Sequence, residues 1–531
     1  MGFLITAIAF AVLRVAMAES LWLDELHTSW TISGSWQEIA TRAAAGNQTP
    51  LYFWFVGVVT QTVGERPERI LRVPSAVAWL LAIGLVAWQI RSKIPSRDPQ
   101  GWLFALCIVA WIVLDRLQWF YATEARPYAF VQLVSLTGWC CVEAIVQAEN
   151  RPNRAGTLTG TLIVVWCILS VANIYLHLTA ALPVLFQWLV GIVFFWRNQN
   201  QHRSEEKNAA SPVTTRRPLT FLLAWTLGAV GVGMALLPIL QLAFPVWQRR
   251  AQWATFASDV SIQKATSMFP FVPVLLCVLV SCVVDRIWPS KLKPVPIAIE
   301  VRWLWWTALL GPFLLAWALA ATGVAPMFHQ RFEFASAMPL FVVGAMELLR
   351  CRHWTMRWVT ILAVAIVISQ GSLPIWRSGY LVGTLRGEDW RAATRWVNER
   401  LELGEPLLCY SGLIEANSNL NKPITLPLDA DFAEYLSFPL LGVYRIAGHS
   451  GQPIPVTPLL GDHRQWAAQI LERLAEAPAG TERIWLVYRG ALGKLKTKMV
   501  EFQADLRMKD IVLNSSEPKR FGNLYVVELK R

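Results

Sequence analysis

Charge and cysteine are both scarce in this sequence. Only 16% of the 531 residues are Asp, Glu, Lys or Arg, while 55% are hydrophobic, a balance that excludes an ordinary soluble globular chain. Of the eight cysteines, Cys107, Cys140, Cys141, Cys167, Cys277 and Cys282 fall within apolar runs, Cys351 in a basic loop and Cys409 in the C-terminal region, so no metal spacing and no disulfide framework emerges. Internal repeats are absent. The C-terminal region has neither a Gly-rich phosphate loop nor a nucleophile elbow. The formal net charge of +12 does not indicate nucleic acid, because the Lys and Arg residues gather in short loops between apolar runs with no aromatic-interleaved basic patch beside them.

What the chain has in abundance is long apolar runs and 28 tryptophans, the composition of a polytopic membrane protein. The runs predict about eleven spans, near residues 2–18, 73–90, 101–118, 127–147, 157–176, 178–196, 219–243, 268–288, 303–322, 334–349 and 358–376. A secretory signal peptide is the alternative for residues 1–18, since "AMA" precedes Glu19, but no Lys or Arg precedes Arg14 to form its basic n-region. The loops "RSKIPSR", "NRPNR", 197–217, "KLK" and "RCRHWTMR" are basic, which assigns them to the cytoplasm. Their alternation works only if "LYFWFVGVVTQTVG" (51–64), short for a span, lies in the interface. Residues 19–72, 119–126, 177, 244–267, 323–333 and the C-terminal region then face outward.

From about residue 377 the pattern changes to that of a soluble α/β domain. "EDWRAATRWVNERLELG" and "WAAQILERLAEAP" read as helices, and "PLLCYSG", "RIWLVYRG" and "NLYVVELK" as strands. The expected architecture is mainly α: a transmembrane helical bundle over 1–376, with interfacial helices in its first outer loop, followed by an extracytoplasmic α/β domain over 377–531.

Ionisable side chains at a membrane edge are costly to bury, so several on one face define a candidate site. The outward loops supply Asp24, Glu25 and His27 in "WLDELH", Glu124 and Arg126 in "YATEARPYAF", His177 between two spans, and His329, Arg331 and Glu333 in "MFHQRFEF". Arginine forks suit phosphate oxygens, and a carboxylate can take a proton from an attacking hydroxyl or hold a hard cation. An anionic lipid phosphate beside a nucleophilic hydroxyl would use both. Alternatively these groups only pair with one another or with headgroups. Asp115 with Arg116, and Asp285 with Arg286, read as snorkelling or locally paired groups at span ends.

The motifs "WLDELH", "TPLYFWF", "ERILRVPSAV", "FYATEARPYAF" and "RFEFASAMPLF" resemble, in order, those of C-type glycosyltransferases, in the branch that includes protein O-mannosyltransferases and the lipid A aminoarabinose transferase. The resemblance covers most of residues 1–349. It implies a polyprenyl-phosphate sugar donor, an extracytoplasmic acceptor and transfer with inversion. Compact loops and the lack of eukaryotic retention signals point to a bacterial cytoplasmic membrane. By the same resemblance Asp24 is the catalytic carboxylate and Glu25 assists it or positions the acceptor. Arg126 and Arg331 hold the donor phosphate, Glu124 steadies Arg126, and Tyr128 lines the sugar pocket, with His27, His177 and His329 as supporting residues. Where many members carry a basic residue and two prolines, this chain has "NQTPLYF", so the cation for any phosphate contact is missing there. No metal is expected to be obligatory; Asp24, Glu25 and His27 could offer ligands to a divalent ion, but not in a recognised metal motif. A transporter or lipid flippase is the alternative class, although the charged residues gather at one edge rather than at the midplane.

Overall fold

The computed structural model describes residues 7–8, 10–11, 14, 19–63, 68–95, 100–149, 155–206, 216–248, 259–288, 295–371, 386–413, 429–447, 454–478 and 480–531. Most of the apolar run 2–18, the basic loops at 150–154 and 291–293, and the 377 boundary lie outside them. The chain forms two compact units. One comprises Met1–Leu13, Asn47–Tyr52 and Pro74–Leu381; the other comprises Arg14–Gly46, Phe53–Val73 and Val382–Arg531. Most of residues 19–72 is grouped with Val382–Arg531 in the second unit.

The first unit is helical. Among the described residues six helices are long and apolar enough to cross a bilayer: Glu68–Lys93, Tyr128–Ala148, Leu158–Leu176, Leu178–Arg197, Ile299–Ala321 and Gln330–Arg350. Two bent pairs, Gln100–Leu114 with Arg116–Ala122 and Leu222–Ala235 with Leu237–Gln248, bring the number to eight if each is one span. The helix Leu51–Val63 has 13 residues, a length of about 20 Å against a hydrocarbon thickness of about 30 Å. The 75° bend between Gln100–Leu114 and Arg116–Ala122 falls at Asp115, whose Oδ1 accepts from the Leu117 backbone N–H at 3.1 Å and so starts the second helix. Asp115 is thus a cap and not a partner of Arg116. Asp285 likewise accepts from the Arg352 N–H at 2.9 Å, not from Arg286.

Two buried carboxylates of this unit are well partnered. Glu143 accepts from Trp305 Nε1 at 2.8 Å and pairs with Lys93; Glu347 accepts from Arg302 Nε at 3.0 Å, from Trp306 Nε1 at 3.1 Å and from Arg350 at 2.7 Å. An unpaired charge in a hydrocarbon environment costs several kcal/mol, roughly 2.5 to 3.5 even on the mildest scale. These ion pairs are therefore what allows acidic residues to sit on otherwise apolar helices.

The second unit contains a six-stranded sheet ordered β2-β1-β3-β6-β4, with β5 also on β6. The strands are β1 (Leu407–Tyr410), β2 (Val456–Pro458), β3 (Arg483–Arg489), β4 (Asn514–Ser515), β5 (Lys519–Phe521) and β6 (Leu524–Lys530). β1 runs parallel to β2 and β3, whereas β6 is antiparallel to β3, β4 and β5. Helices His463–Glu476 and Leu492–Arg507 cover one face, burying Trp466, Ile470, Leu495 and Phe502 against Leu486 and Val527. All four residues of β1 are buried, consistent with its place between two other strands. The amphipathic stretch 388–404 is helical only over Trp390–Asn398, capped by Asp389, and stops well before the glycine because Leu401 folds into the core.

Within this unit the acidic segment is fixed by a buried arginine. Arg72, fully buried, donates through Nε to Glu25 Oε1 at 2.7 Å and through Nη2 to the other carboxylate oxygen. Its remaining donors reach the carbonyls of Glu19 at 2.7 Å and Ser20 at 3.0 Å. Arg386 adds a bond to Glu19 Oε2 at 2.9 Å, and its Nε lies 3.5 Å from Glu25. Glu388 accepts from the Leu23 N–H at 3.0 Å, from Trp390 Nε1 at 2.8 Å and from Arg489 Nε at 2.6 Å, tying the start of the acidic helix to β3. Removing one partner of such a pair strands the other charge without water. We expect Arg72→Met to destabilise the protein by about 3–5 kcal/mol, read as a lowered thermal midpoint of the full chain in detergent. Arg400→Met, which removes an exposed pair with Glu399, a bond to the Trp396 carbonyl and a contact with the Trp396 ring, all at the surface, should lower the midpoint far less, costing about 1 kcal/mol or under.

Candidate functional site

The helix Leu23–Thr31 begins at Trp22, whose extended backbone stops the turn, and Glu25 reaches back to accept from the Trp22 N–H at 3.3 Å. Asp24 and Glu25 thus stand in the first turn, where the helix dipole favours negative charge. Their surroundings differ. Glu25 has no exposed surface and both of its oxygens are engaged by Arg72, whereas Asp24, on the neighbouring face, is half-buried.

The rest of that helix is clamped to the unit. His27 is buried among rings, with Phe438 at 5.4 Å, Trp30 at 5.7 Å, Phe53 at 5.9 Å and Tyr435 at 6.2 Å between centroids. A Cβ added at Gly46 would lie 2.2 Å from His27 Nε2, so only glycine allows this close approach. Ser29 Oγ accepts from the Val443 N–H at 3.1 Å, and Trp30 Nε1 donates to Glu434 at 2.8 Å beneath the Arg42 guanidinium. Such a packed imidazole is a core residue. Asp24 lies at the one end of the helix that retains exposure on its acidic face.

In the helical unit the turn Thr123–Pro127 places Arg126 between two helices. Arg126 N–H donates to the Glu124 carbonyl at 2.7 Å, its own carbonyl accepts from Ser75 Oγ at 3.0 Å, and Pro127 then starts the helix Tyr128–Glu149. Glu124, Arg126 and Tyr128 are all buried. His177 breaks the chain between two spans and caps the short turn Leu178–Ala180, its Nδ1 accepting from the Thr179 N–H at 3.3 Å. Its ring lies 5.6 Å from Tyr128 and 5.7 Å from Phe332. Burial first, and then the positive charges of Arg126 and Arg331, push its pKa down to about 3, so the imidazole is neutral at physiological pH. His329 is likewise a capping residue, accepting from the Arg331 N–H at 3.3 Å at the start of Gln330–Glu333.

Arg126, Tyr128, His177, His329 and Arg331, predicted from separate loops, thus lie in one neighbourhood of one unit, bridged by the rings of Tyr128, His177 and Phe332. Asp24, Glu25 and His27 lie in the other. Beside the arginines, Glu333 is buried with Oε1 lacking a hydrogen-bond partner among the described residues. Among the described residues no group of three or more His, Cys, Asp or Glu side chains is disposed to hold a metal ion. Burial raises the Cys409 thiol to about 12, which makes it a core side chain rather than a nucleophile. Arg72, Arg386 and Glu388 were not singled out from the sequence. Arg72 carried a usable signal, a cation at the head of the apolar run in "ERILRVPSAV"; the other two gave none.

No protein-family model matches the chain, and no curated protein matches it. Solved structures do. The fold is similar to that of ArnT from Cupriavidus metallidurans, in a crystal structure bound to undecaprenyl phosphate, with a TM-score of 0.52 at 12% identity over 99% of this chain and 97% of that one. A structure of the archaeal oligosaccharyltransferase AglB from Archaeoglobus fulgidus, in complex with an inhibitory peptide and a dolichol-phosphate, matches at a TM-score of 0.48 and 10% identity over 98% of this chain and 73% of that one. The sequence resemblance to C-type glycosyltransferases is thus met by a likeness of fold to ArnT that runs nearly the full length of both chains.

Proposed function

We propose that this chain is an integral-membrane glycosyltransferase that moves a sugar from a polyprenyl-phosphate donor to an acceptor outside the cytoplasm. The observation that carries the reading is the near full-length likeness to ArnT, whose structure holds undecaprenyl phosphate. The motif order in the sequence supports it, as does the neighbourhood shared by Arg126 and Arg331. We assign the protein to a bacterial cytoplasmic membrane, with Asp24 and the C-terminal unit on its outer side.

In this reading Asp24 acts as general base. The acceptor oxygen attacks the anomeric carbon as its proton passes to the Asp24 carboxylate, the bond from that carbon to the phosphate oxygen breaks, and the configuration inverts. The departing polyprenyl phosphate gains negative charge, which Arg126 and Arg331 offset. Guanidinium forks match two phosphate oxygens at once. Glu25 is spent on Arg72 and acts as a positioning residue, holding the first helical turn so that Asp24 keeps its aim. Glu124 steadies the Arg126 turn, Tyr128 lines the sugar pocket beside His177, and His329 orients the backbone that carries Arg331. No divalent ion is obligatory in this scheme; one bound beside Asp24 would serve a diphosphate donor instead.

Purified protein in nanodiscs, given radiolabelled polyprenyl-phosphate sugars and a cell-envelope extract, should transfer label to an acceptor. Asp24→Asn should lower that transfer by about 100-fold or more. Movement of intact sugar lipid across vesicles, without transfer and unchanged by the substitution, would establish a transporter in its place. Arg126→Gln and Arg331→Gln should each cost about 100-fold in kcat/KM, with Asp24-dependent proton transfer intact as judged by an unchanged pH profile of the residual rate. A loss confined to thermal stability, with kcat/KM per folded molecule preserved, would remove these arginines from the scheme.

A further inference from the structure

The second unit holds a cavity of about 450 Å³ on the side of the helix Trp390–Asn398 that meets the segment around Tyr444, and three arginines, Arg391, Arg395 and Arg445, line it. Its charge balance is unusual. Arg391 is matched by Glu68, to which it donates from Nε at 2.8 Å. Glu399, the carboxylate on the rim, is matched by Arg400 at 3.2 Å. Arg395 and Arg445 are exposed, and among the described residues neither has an acidic partner. Two positive charges are left over in a space lined mainly by polar groups.

The walls are braced. Tyr444 OH is bonded to Glu68 and accepts from the Leu21 N–H at 2.8 Å and from Ser20 Oγ at 3.2 Å. Burial and the adjacent carboxylate raise this phenol well above its ordinary range, so the hydroxyl stays protonated and remains a donor to Glu68. Arg391 N–H donates to Ser20 Oγ at 3.1 Å and its Nη2 to the Glu19 carbonyl at 3.1 Å. Asn398 Oδ1 accepts from the Ala447 N–H at 2.9 Å, closing the far side. The same residues that shape the cavity therefore grip the segment leading into Asp24, within one unit.

We infer that this cavity binds a phosphate group, held between the free forks of Arg395 and Arg445 with Arg391 behind them. Two unmatched guanidinium groups balance a dianion, and each presents parallel N–H donors at the spacing of tetrahedral oxyanion oxygens. The cavity opens widely to solvent, so a larger group attached to that phosphate can extend outward from it. Its assignment to the acceptor, as an anionic group that brings the acceptor to the unit carrying Asp24, rests on the transferase reading; phosphate binding itself does not.

Two measurements on the full chain keep those claims apart. Binding of inorganic phosphate to protein in phosphatidylcholine nanodiscs should saturate, and Arg395→Gln with Arg445→Gln, both at exposed positions, should weaken it by about tenfold or more. Nanodiscs doped with phosphatidic acid test the second source: competition with soluble phosphate, lost in the double variant, places the phosphate on a lipid headgroup, and no competition places it on a soluble or glycan-borne ligand. Equal phosphate affinity in wild type and variant, or no saturable binding in wild type, overturns the inference. In the transfer assay the double variant should raise KM for a phosphorylated acceptor with kcat retained; an unchanged KM beside weakened phosphate binding would refute the acceptor assignment alone.

Discussion

A carboxylate and a guanidinium, both without access to water, set the geometry of the acidic segment. The Arg72–Glu25 pair would be costly if it were only a pair, since desolvating two ions commonly offsets their attraction. Here the guanidinium also satisfies the carbonyls of Glu19 and Ser20, and a second arginine, Arg386, approaches the same carboxylate. With its donors used, Arg72 holds Glu25 in the first turn, while its neighbour Asp24 stays half-buried. Adjacent carboxylates that look equivalent in "WLDELH" thereby have different surroundings.

The helical unit follows the same logic of satisfied charge. Glu143 and Glu347 are each surrounded by two or more donors, and Asp285 accepts from the Arg352 N–H. Against that background the neighbourhood of Arg126, His177 and Arg331 stands out. Burial first, and then the positive charges of Arg126 and Arg331, keep the His177 imidazole neutral, and Glu333, in the same short helix as Arg331, keeps a buried oxygen without a partner among the described residues.

Much of this was legible in the chain itself. Apolar run length gave the helical architecture, because a bilayer-spanning segment must satisfy its own backbone, and short apolar runs bounded by turn residues gave the longer strands of the C-terminal unit. The arginines were legible as charges at span ends. The bend was not, because Asp115 reads as an edge residue when it is the cap between two helices at 75°. His27 looked like a companion to the acidic pair, yet its place was decided by Phe53, Tyr435 and Phe438 and by Gly46, residues with no sequence relation to it. Nor could the sequence show that Glu68, Arg391 and Tyr444 converge, since such networks depend on tertiary contacts spanning more than 300 positions.

The central claim is that a glycosidic bond to phosphate is broken and a new one made on the acceptor. The most direct measurement counts both products of that exchange in one reaction, with donor doubly labelled in its sugar and its polyprenyl chain. The account predicts that released polyprenyl phosphate and glycosylated acceptor appear in equal amounts, with the anomeric configuration of the product opposite to that of the donor. Sugar that stays attached to its lipid throughout, or retained configuration, would contradict it.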